Sequence, residues 1–507
     1  MPTQHHRQAA DQPLEGRVAV IDIGSNSIRL VVYDRLSRSP TAVFNEKVLC
    51  GLGKTLERTG RLNPEGVKQA LENLTRFQRL IDGMQVVRVD VLATAAVRDA
   101  ADGEAFVAEV KRRTGLDIQI LTGTDEARLA AMGVLSGTPG ADGLAGDLGG
   151  GSLELVTLDR GIIGQQTTTP LGPLRLMEST DGKIAAATKV IDQHLSALPW
   201  IHEARGRTFY PVGGSWRALA KMHMEQANHP VHIIHHYSIA GDDAAGFAGL
   251  IARQSRSSLE KVPGVSRRRL ETLSLAALVL ERVVRTVQPA RVVFSAFGLR
   301  EGHLFELLSA DHRRQDPLLT ACTEIAQRLG RFGAAETISQ WTAPLFAGED
   351  ENAGRLRQAA CLLSDLGWAE HPDYRAEHAF LRILRMPFAG IDHAERAFLA
   401  TASFVRYSGT LDGEVLAPAK GLLKDGPIQR AYILGLALRL AQTLTGGAMM
   451  MLQRTALRLG DEKLSLILPE DAAALVGEAV QRRLDSLAKA LNRSGEIIIQ
   501  TAPKLAG

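Results

Sequence analysis

Cysteine is scarce in this chain: three in 507 residues, at Cys50, Cys322 and Cys361. They are odd in number and far apart, which excludes a disulfide framework and any thiolate metal site, and a reducing cytoplasm is the expected setting. No run approaches the roughly 18 consecutive apolar residues of a membrane span, so no membrane association is expected. Met1 to Gly16 is polar and lacks the apolar stretch of a secretory signal, and it reads as a disordered tail. An excess of charge is missing too. A net +3 encodes no general affinity for nucleic acid, so any attraction for a polyanion must come from local clusters. The densest, Arg267-Arg268-Arg269, opens a helical pattern (Leu270, Leu273, Leu275, Leu278) and reads as a solvated helix face. What is abundant is ordinary core material: 45% hydrophobic residues, in a chain long enough for about three domains.

The chain repeats itself. Arg17 to Ile23 reads as a buried strand that ends at Asp22-Ile23-Gly24-Ser25-Asn26-Ser27, with further strands at Ile28–Tyr33 and Thr41–Leu49. An offset of 125 carries Asp22 onto Asp147, Gly24 onto Gly149, Ser27 onto Ser152 and Asp34-Arg35 onto Asp159-Arg160. Several identities at one offset, in the same strand–corner–strand setting, indicate a duplicated unit. Helical and strand patterns follow each copy: helix Pro64–Ile81, strand Val87–Ala93, helix Asp102–Thr114, strand Ile118–Leu121 and helix Glu126–Leu135 after the first. The expectation is an α/β protein of two related lobes facing each other, spanning 17–138 and 139–310, followed by a mainly helical region over 311–507.

The two corners carry the chemistry. Glycine at 24 and at 149, 150 and 151 lets backbone N–H groups approach phosphate oxygens, and Ser25, Asn26, Ser27 and Ser152 add neutral donors. Asp22 and Asp147, each at a strand end, repel phosphate unless a cation stands between them, and magnesium resolves that conflict. Glu154 shares a face with Ser152, and its counterpart in the first copy is Arg29, so the lobes offer a carboxylate and a cation to one cleft. Thr124-Asp125-Glu126 opens a helix with Thr124 as the expected N-cap, and Glu126 is a general base for water if the fold turns it inward. Arg98 follows a strand end and offers the planar fork of donors that suits phosphate. Two later glycine turns, at Gly213-Gly214 and Gly298 to Gly302, each follow a strand.

Taken together these segments resemble the exopolyphosphatase/guanosine pentaphosphate phosphohydrolase family of the actin-like ATPase superfamily. The matching stretches are Asp22 to Ser27, Ala93-Thr94 to Arg98, Gly123 to Leu129, Asp147 to Glu154, Gly213-Gly214 and Gly298 to Gly302, in family order over the first 310 or so residues. The resemblance implies two ribonuclease-H-like lobes, magnesium, and hydrolysis at the end of inorganic polyphosphate. It implies Glu126 as the catalytic base, with Asp147 and Glu154 as acids that organise metal and water, and Asp22 with them as metal ligands. It implies phosphate contacts from Ser25 to Ser27, Arg98 and Gly149 to Ser152, and Gly24, Arg29, Gly213 and Gly214 are expected to join them. Thr55 departs from the pattern, which often has a second glycine there.

The C-terminal region resembles the HD-like domain of longer family members. The metal-ligand positions carry Leu363-Ser364-Asp365 and, in place of an aspartate, Gln442, so no working metal site is expected; His371 and His378 read as solvated or capping residues. The family resemblance assigns this region to polymer binding and to a homodimer. Removal of the terminal phosphate of guanosine pentaphosphate (or binding of the tetraphosphate) uses the same chemistry and stays open. An ATP-driven kinase-like actin relative is set apart by Glu126 in its Glu-Ala-Arg-Leu setting, and Glu126, Asp147 and Glu154 speak against a non-catalytic nucleotide-sensing scaffold.

Overall fold

A computed structural model describes residues 15–259, 270–331 and 335–500. Met1 to Leu14 of the expected tail, and the Arg267 to Arg269 cluster, lie outside the described residues. The chain divides into two compact units, 1–315 and 316–507, the break falling where helical periodicity takes over in the sequence.

The first unit holds two sheets. β1 (Val18–Ile23), β2 (Ser27–Tyr33), β3 (Ala42–Leu49), β4 (Arg88–Ala93) and β5 (Ile118–Ile120) form one, in the order β3-β2-β1-β4-β5. β6 (Gly143–Leu148), β7 (Leu153–Asp159), β8 (Ile162–Thr169), β9 (Thr208–Val212), β10 (Tyr237–Ala240) and β11 (Arg291–Phe294) form the other, in the order β8-β7-β6-β9-β11-β10. β1 to β3 and β6 to β8 are antiparallel meanders, and β4 and β9 join β1 and β6 in parallel. The central strands are β-branched and leucine-rich because helices cover both faces, leaving no solvated side to encode as alternation. The duplication holds in register. Asp22 pairs with Arg29 across the first hairpin and Asp147 with Glu154 across the second. The corner hydrogen bond repeats as well, from Gly24 N–H to the Ser27 carbonyl and from Gly149 N–H to the Ser152 carbonyl, 3.0 Å in each.

Two helices in this unit cross with backbone touching backbone. A Cβ on Gly302, in the helix Leu299–Leu307, would lie 1.8 Å from the Leu129 carbonyl oxygen in the helix Gly123–Gly137, and one on Gly133 would lie 2.2 Å from the Gly298 oxygen. Only hydrogen fits there. Gly302→Ala is therefore expected to destabilise the unit by about 3 kcal/mol, the upper end of overpacking costs, read as a lower urea midpoint; an unchanged midpoint would contradict the close crossing.

In the helix Gly123–Gly137 the N-cap is Thr122 and not the expected Thr124. Thr122 Oγ1 accepts from Asp125 N–H, and the Asp125 carboxylate accepts from Thr122 N–H, a reciprocal box that outcompetes a cap two residues later. The earlier start places Glu126 inside the first turn.

The second unit is mainly helical. The helix His393–Ser408 is buried along most of its length and packs on Asp425–Thr445, where Gly435 admits the Val405 side chain. A small sheet closes the unit: β12 (Ala456–Leu459) antiparallel to β13 (Lys463–Pro469), which runs parallel to β14 (Ser494–Gln500). The sequence reading located β13 and β14 and missed β12, whose outward residues leave a single buried side chain as signal. His371 and His378 are exposed beside Asp373 and Glu370, in keeping with solvated histidines. No helix among the described residues is long and apolar enough to cross a membrane.

Candidate active site

The two corners meet in a cleft within the first unit. Its wall includes Asp22, Gly24, Ser25, Asn26, Ser27 and Arg29 from the first copy, and Asp147, Gly149, Gly150, Gly151, Ser152 and Glu154 from the second. Glu126, Gly213, Gly214, Arg217 and Arg300 line the same cavity. Topology produces this convergence: both corners sit at the C-terminal ends of parallel central strands, where open α/β sheets bind ligands. Gly213 is held at φ 107°, and a Cβ there would meet the Leu148 carbonyl oxygen at 2.5 Å, so the turn into the helix Gly214–Gln226 needs glycine.

The electrostatics are those of crowded carboxylates. Glu126 is 6% exposed and ion-paired to Arg98, yet burial raises its pKa to about 7 against the pull of Arg98, with Asp147 and Asp22 adding to the rise. Asp147 rises to about 6, by burial first, with Arg217 and Arg300 opposing and Asp22 assisting. Glu154, 3% exposed, is pushed well above the usual carboxylate range by burial, then by Glu126 and Asp147, although Thr168 donates to it at 2.8 Å. Burial and mutual repulsion hold protons on Glu126, Asp147 and Glu154, and with Asp22 lining the same cavity these carboxylates form a hard-oxygen environment suited to a divalent cation. Among the described residues, however, no three His, Cys, Asp or Glu side chains form a preassembled cage. Asp22 is held by Arg300 and Glu154 by Thr168, each at 2.8 Å. Magnesium sites of a few carboxylates completed by water and substrate phosphate need no such cage, so the donor set fits that ion.

Arg98 binds Glu126, Asp99 and the Leu121 carbonyl, and so it holds the acid in place. Arg29 lines the cleft with its Nε–H on Asn45. Thr55 adopts φ 69°, a left-handed conformation that glycine reaches at lower cost, and its N–H is fixed by Glu178 at 2.6 Å. Three participants escaped the sequence reading. Arg300 lay within a quoted segment and is buried against Asp22. Arg217, donating to the Ala296 carbonyl, had no signal beyond following Gly213-Gly214 by about one helical turn. Gly172 lies behind the second glycine loop, where a Cβ would come within 2.4 Å of the Gly150 oxygen and the Ser152 nitrogen.

Paired glycine-hydroxyl loops, clustered acids and a buried carboxylate in a cleft between duplicated α/β lobes define a phosphatase of the actin-like fold. The Ppx/GppA phosphatase family model matches residues 31–311, and the exopolyphosphatase C-terminal model matches 318–498. The chain belongs to the Ppx/GppA phosphatase family and is a hydrolase. It is similar to Retrograde regulation protein 2 of Saccharomyces cerevisiae, with 26% identity over 77% of this chain and 73% of that protein. It is also similar, at 26% identity over 54% of this chain and 91% of the relative, to Exopolyphosphatase 2 of Mycobacterium tuberculosis. Among solved structures, an exopolyphosphatase from Cytophaga hutchinsonii shares the fold, with a TM-score of 0.52 and 23% identity over 58% of this chain and all of that one.

Proposed function

We propose that the protein is an exopolyphosphatase that removes the terminal phosphate of inorganic polyphosphate as orthophosphate, assisted by magnesium. The observation that carries the reading is Glu126: a buried carboxylate with a pKa of about 7, clamped by Arg98 and opening onto a cleft floored by two phosphate loops. A base is most useful when its pKa lies close to the working pH. The name of the mycobacterial relative supports the substrate class.

In this reading Ser25, Asn26 and Ser27 and the backbone N–H groups of Gly149 to Ser152 bind the terminal phosphoryl oxygens. Arg29, Arg217 and Arg300 offset the charge of the chain behind it. Asp22, Asp147 and Glu154 are the residues that would hold the ion, whose chemistry is to neutralise phosphate oxygens as charge builds. Glu126 accepts the proton of the attacking water, and Arg98 fixes its orientation. The bond from the terminal phosphorus to its bridging oxygen breaks, and the electron pair stays on the remaining chain. That leaving group is weakly basic, so no general acid is required.

The test is orthophosphate release with magnesium from long-chain polyphosphate, guanosine pentaphosphate and ATP at equal concentrations of ends. Preference for the polymer, lost in Glu126→Ala, is the expected result. Preference for guanosine pentaphosphate would keep the chemistry and change the substrate. ADP formation from ATP alone, with both other substrates untouched, would overturn the proposal.

A further inference from the structure

The second unit contains a cavity of about 370 Å³ lined by five arginines: Arg331, Arg375, Arg406, Arg439 and Arg483. They arrive from separate segments. Arg331 follows the helix Pro317–Leu329, Arg375 opens Arg375–Arg385, and Arg406 ends His393–Ser408. Arg439 lies on Asp425–Thr445 and Arg483 on Glu478–Ala490. Asp365 is a counter-charge shared by two of them, 2.6 Å from Arg331 and 3.6 Å from Arg406. Arg331 also donates to Gln442, so it bridges the two positions at which an HD-like domain would carry metal ligands.

The remaining contacts hold the cluster in place without neutralising it. Arg375 donates to the Glu370 carbonyl, and Arg439 to the carbonyls of Arg406 and Tyr407 at the end of their helix. Tyr407 lies beneath the Arg406 guanidinium at 3.9 Å, with its hydroxyl fixed by Gly367 N–H. The Arg406 side chain is only 9% exposed, and its Nε has no hydrogen-bond partner; the Nε atoms of Arg439 and Arg483 are likewise buried and unpaired. Burial lowers the pKa of Arg439 to about 10, and its neighbours Arg483 and Arg406 contribute to the fall. Capping of helix carbonyls accounts for one guanidinium, not five. Buried like charges with unpaired donors are costly unless a counter-ion joins them.

We infer that this cavity is a second anion site, distinct from the cleft and formed wholly within the C-terminal unit, which takes a compact oligophosphate such as an inorganic or nucleoside triphosphate group. Guanidinium forks pair with phosphate oxygens two at a time, and several of them converging on a cavity of this size match a multiply charged chain better than a single phosphate. The inference is independent of the reading of the cleft.

Calorimetric titration of the full chain with tripolyphosphate, without divalent cation to suppress turnover, is the direct test. One class of binding site is expected, because the acids of the cleft repel phosphate without their cation. Arg439→Gln with Arg483→Gln should weaken it by about tenfold or more, the loss of charged hydrogen bonds. Hydrogen exchange on the unmodified protein should show tripolyphosphate protecting the segments around Arg406 and Arg439, which guards against a variant that fails to fold. Repeating the titration with ATP separates the sources: tighter ATP binding in this class identifies a nucleotide, and equal or weaker binding an inorganic chain. A single class unaffected by the substitutions, or no protection of those segments, overturns the inference.

Discussion

Glu126→Gln is expected to lower turnover by a factor of about 10² to 10⁴ while leaving substrate binding nearly intact. The amide keeps the shape and a hydrogen-bonding oxygen beside Arg98 but cannot take the proton of water. The same substitution should not weaken the fold. The carboxyl of Glu126 has a pKa of about 7 in the folded protein against an ordinary value of 4.5. A raised carboxylate pKa means that the folded state holds the proton more tightly, so the group's effect on stability worsens as pH rises between those values. Above pH 7 the wild type carries a buried charge that the glutamine variant lacks, and the variant should melt at the same temperature or higher. Collapse of turnover with retained Tm is the signature of a chemical role. Normal turnover would remove Glu126 from the mechanism, and a large fall in Tm at pH 8 would make its role structural.

Gly172→Ala is expected to lower kcat/KM by about 10², the cost of misplacing a reacting group by around 1 Å. The backbone at Gly172 is ordinary, with φ −64° and ψ 141°, so alanine meets no conformational strain of its own. The conflict is one of contact. Its Cβ would stand 2.2 Å from the Gly151 carbonyl carbon and 2.4 Å from the Gly150 oxygen and Ser152 nitrogen. All three are backbone atoms of the Gly149 to Ser152 loop, and no side-chain rotation relieves them, so the loop itself must move. The sheet beneath is unaffected, and the expected result is a selective kinetic loss with a modest change in Tm. Wild-type kinetics for this variant would mean that the loop either shifts freely or does not hold phosphate.

Much of the fold was legible because it is written twice. Asp22 and Asp147, Gly24 and Gly149, and Ser27 and Ser152 keep one offset, and the hairpin registers and corner hydrogen bonds repeat at that offset in the structure. The start of the Glu126 helix was read two residues late, because Thr122 and Thr124 are both competent caps and only the reciprocal bond with Asp125 separates them. β12 was missed because a short edge strand with a single inward residue gives almost no alternation.

By itself the sequence determined the local pieces: strands from apolar runs, corners from glycine and hydroxyl residues, and the family from their order. Such features depend on neighbours a few residues away, and composition and spacing record them directly. Tertiary structure decided which side chains share a space. It turned Arg98 onto Glu126, brought Arg300 across 278 positions to Asp22, and set Gly172 behind the loop at Gly150 to Ser152. It also gathered five arginines from five segments around one cavity. Those relations arise from packing between distant segments, and charge, burial and pKa follow from that packing because each depends on what surrounds a group in space.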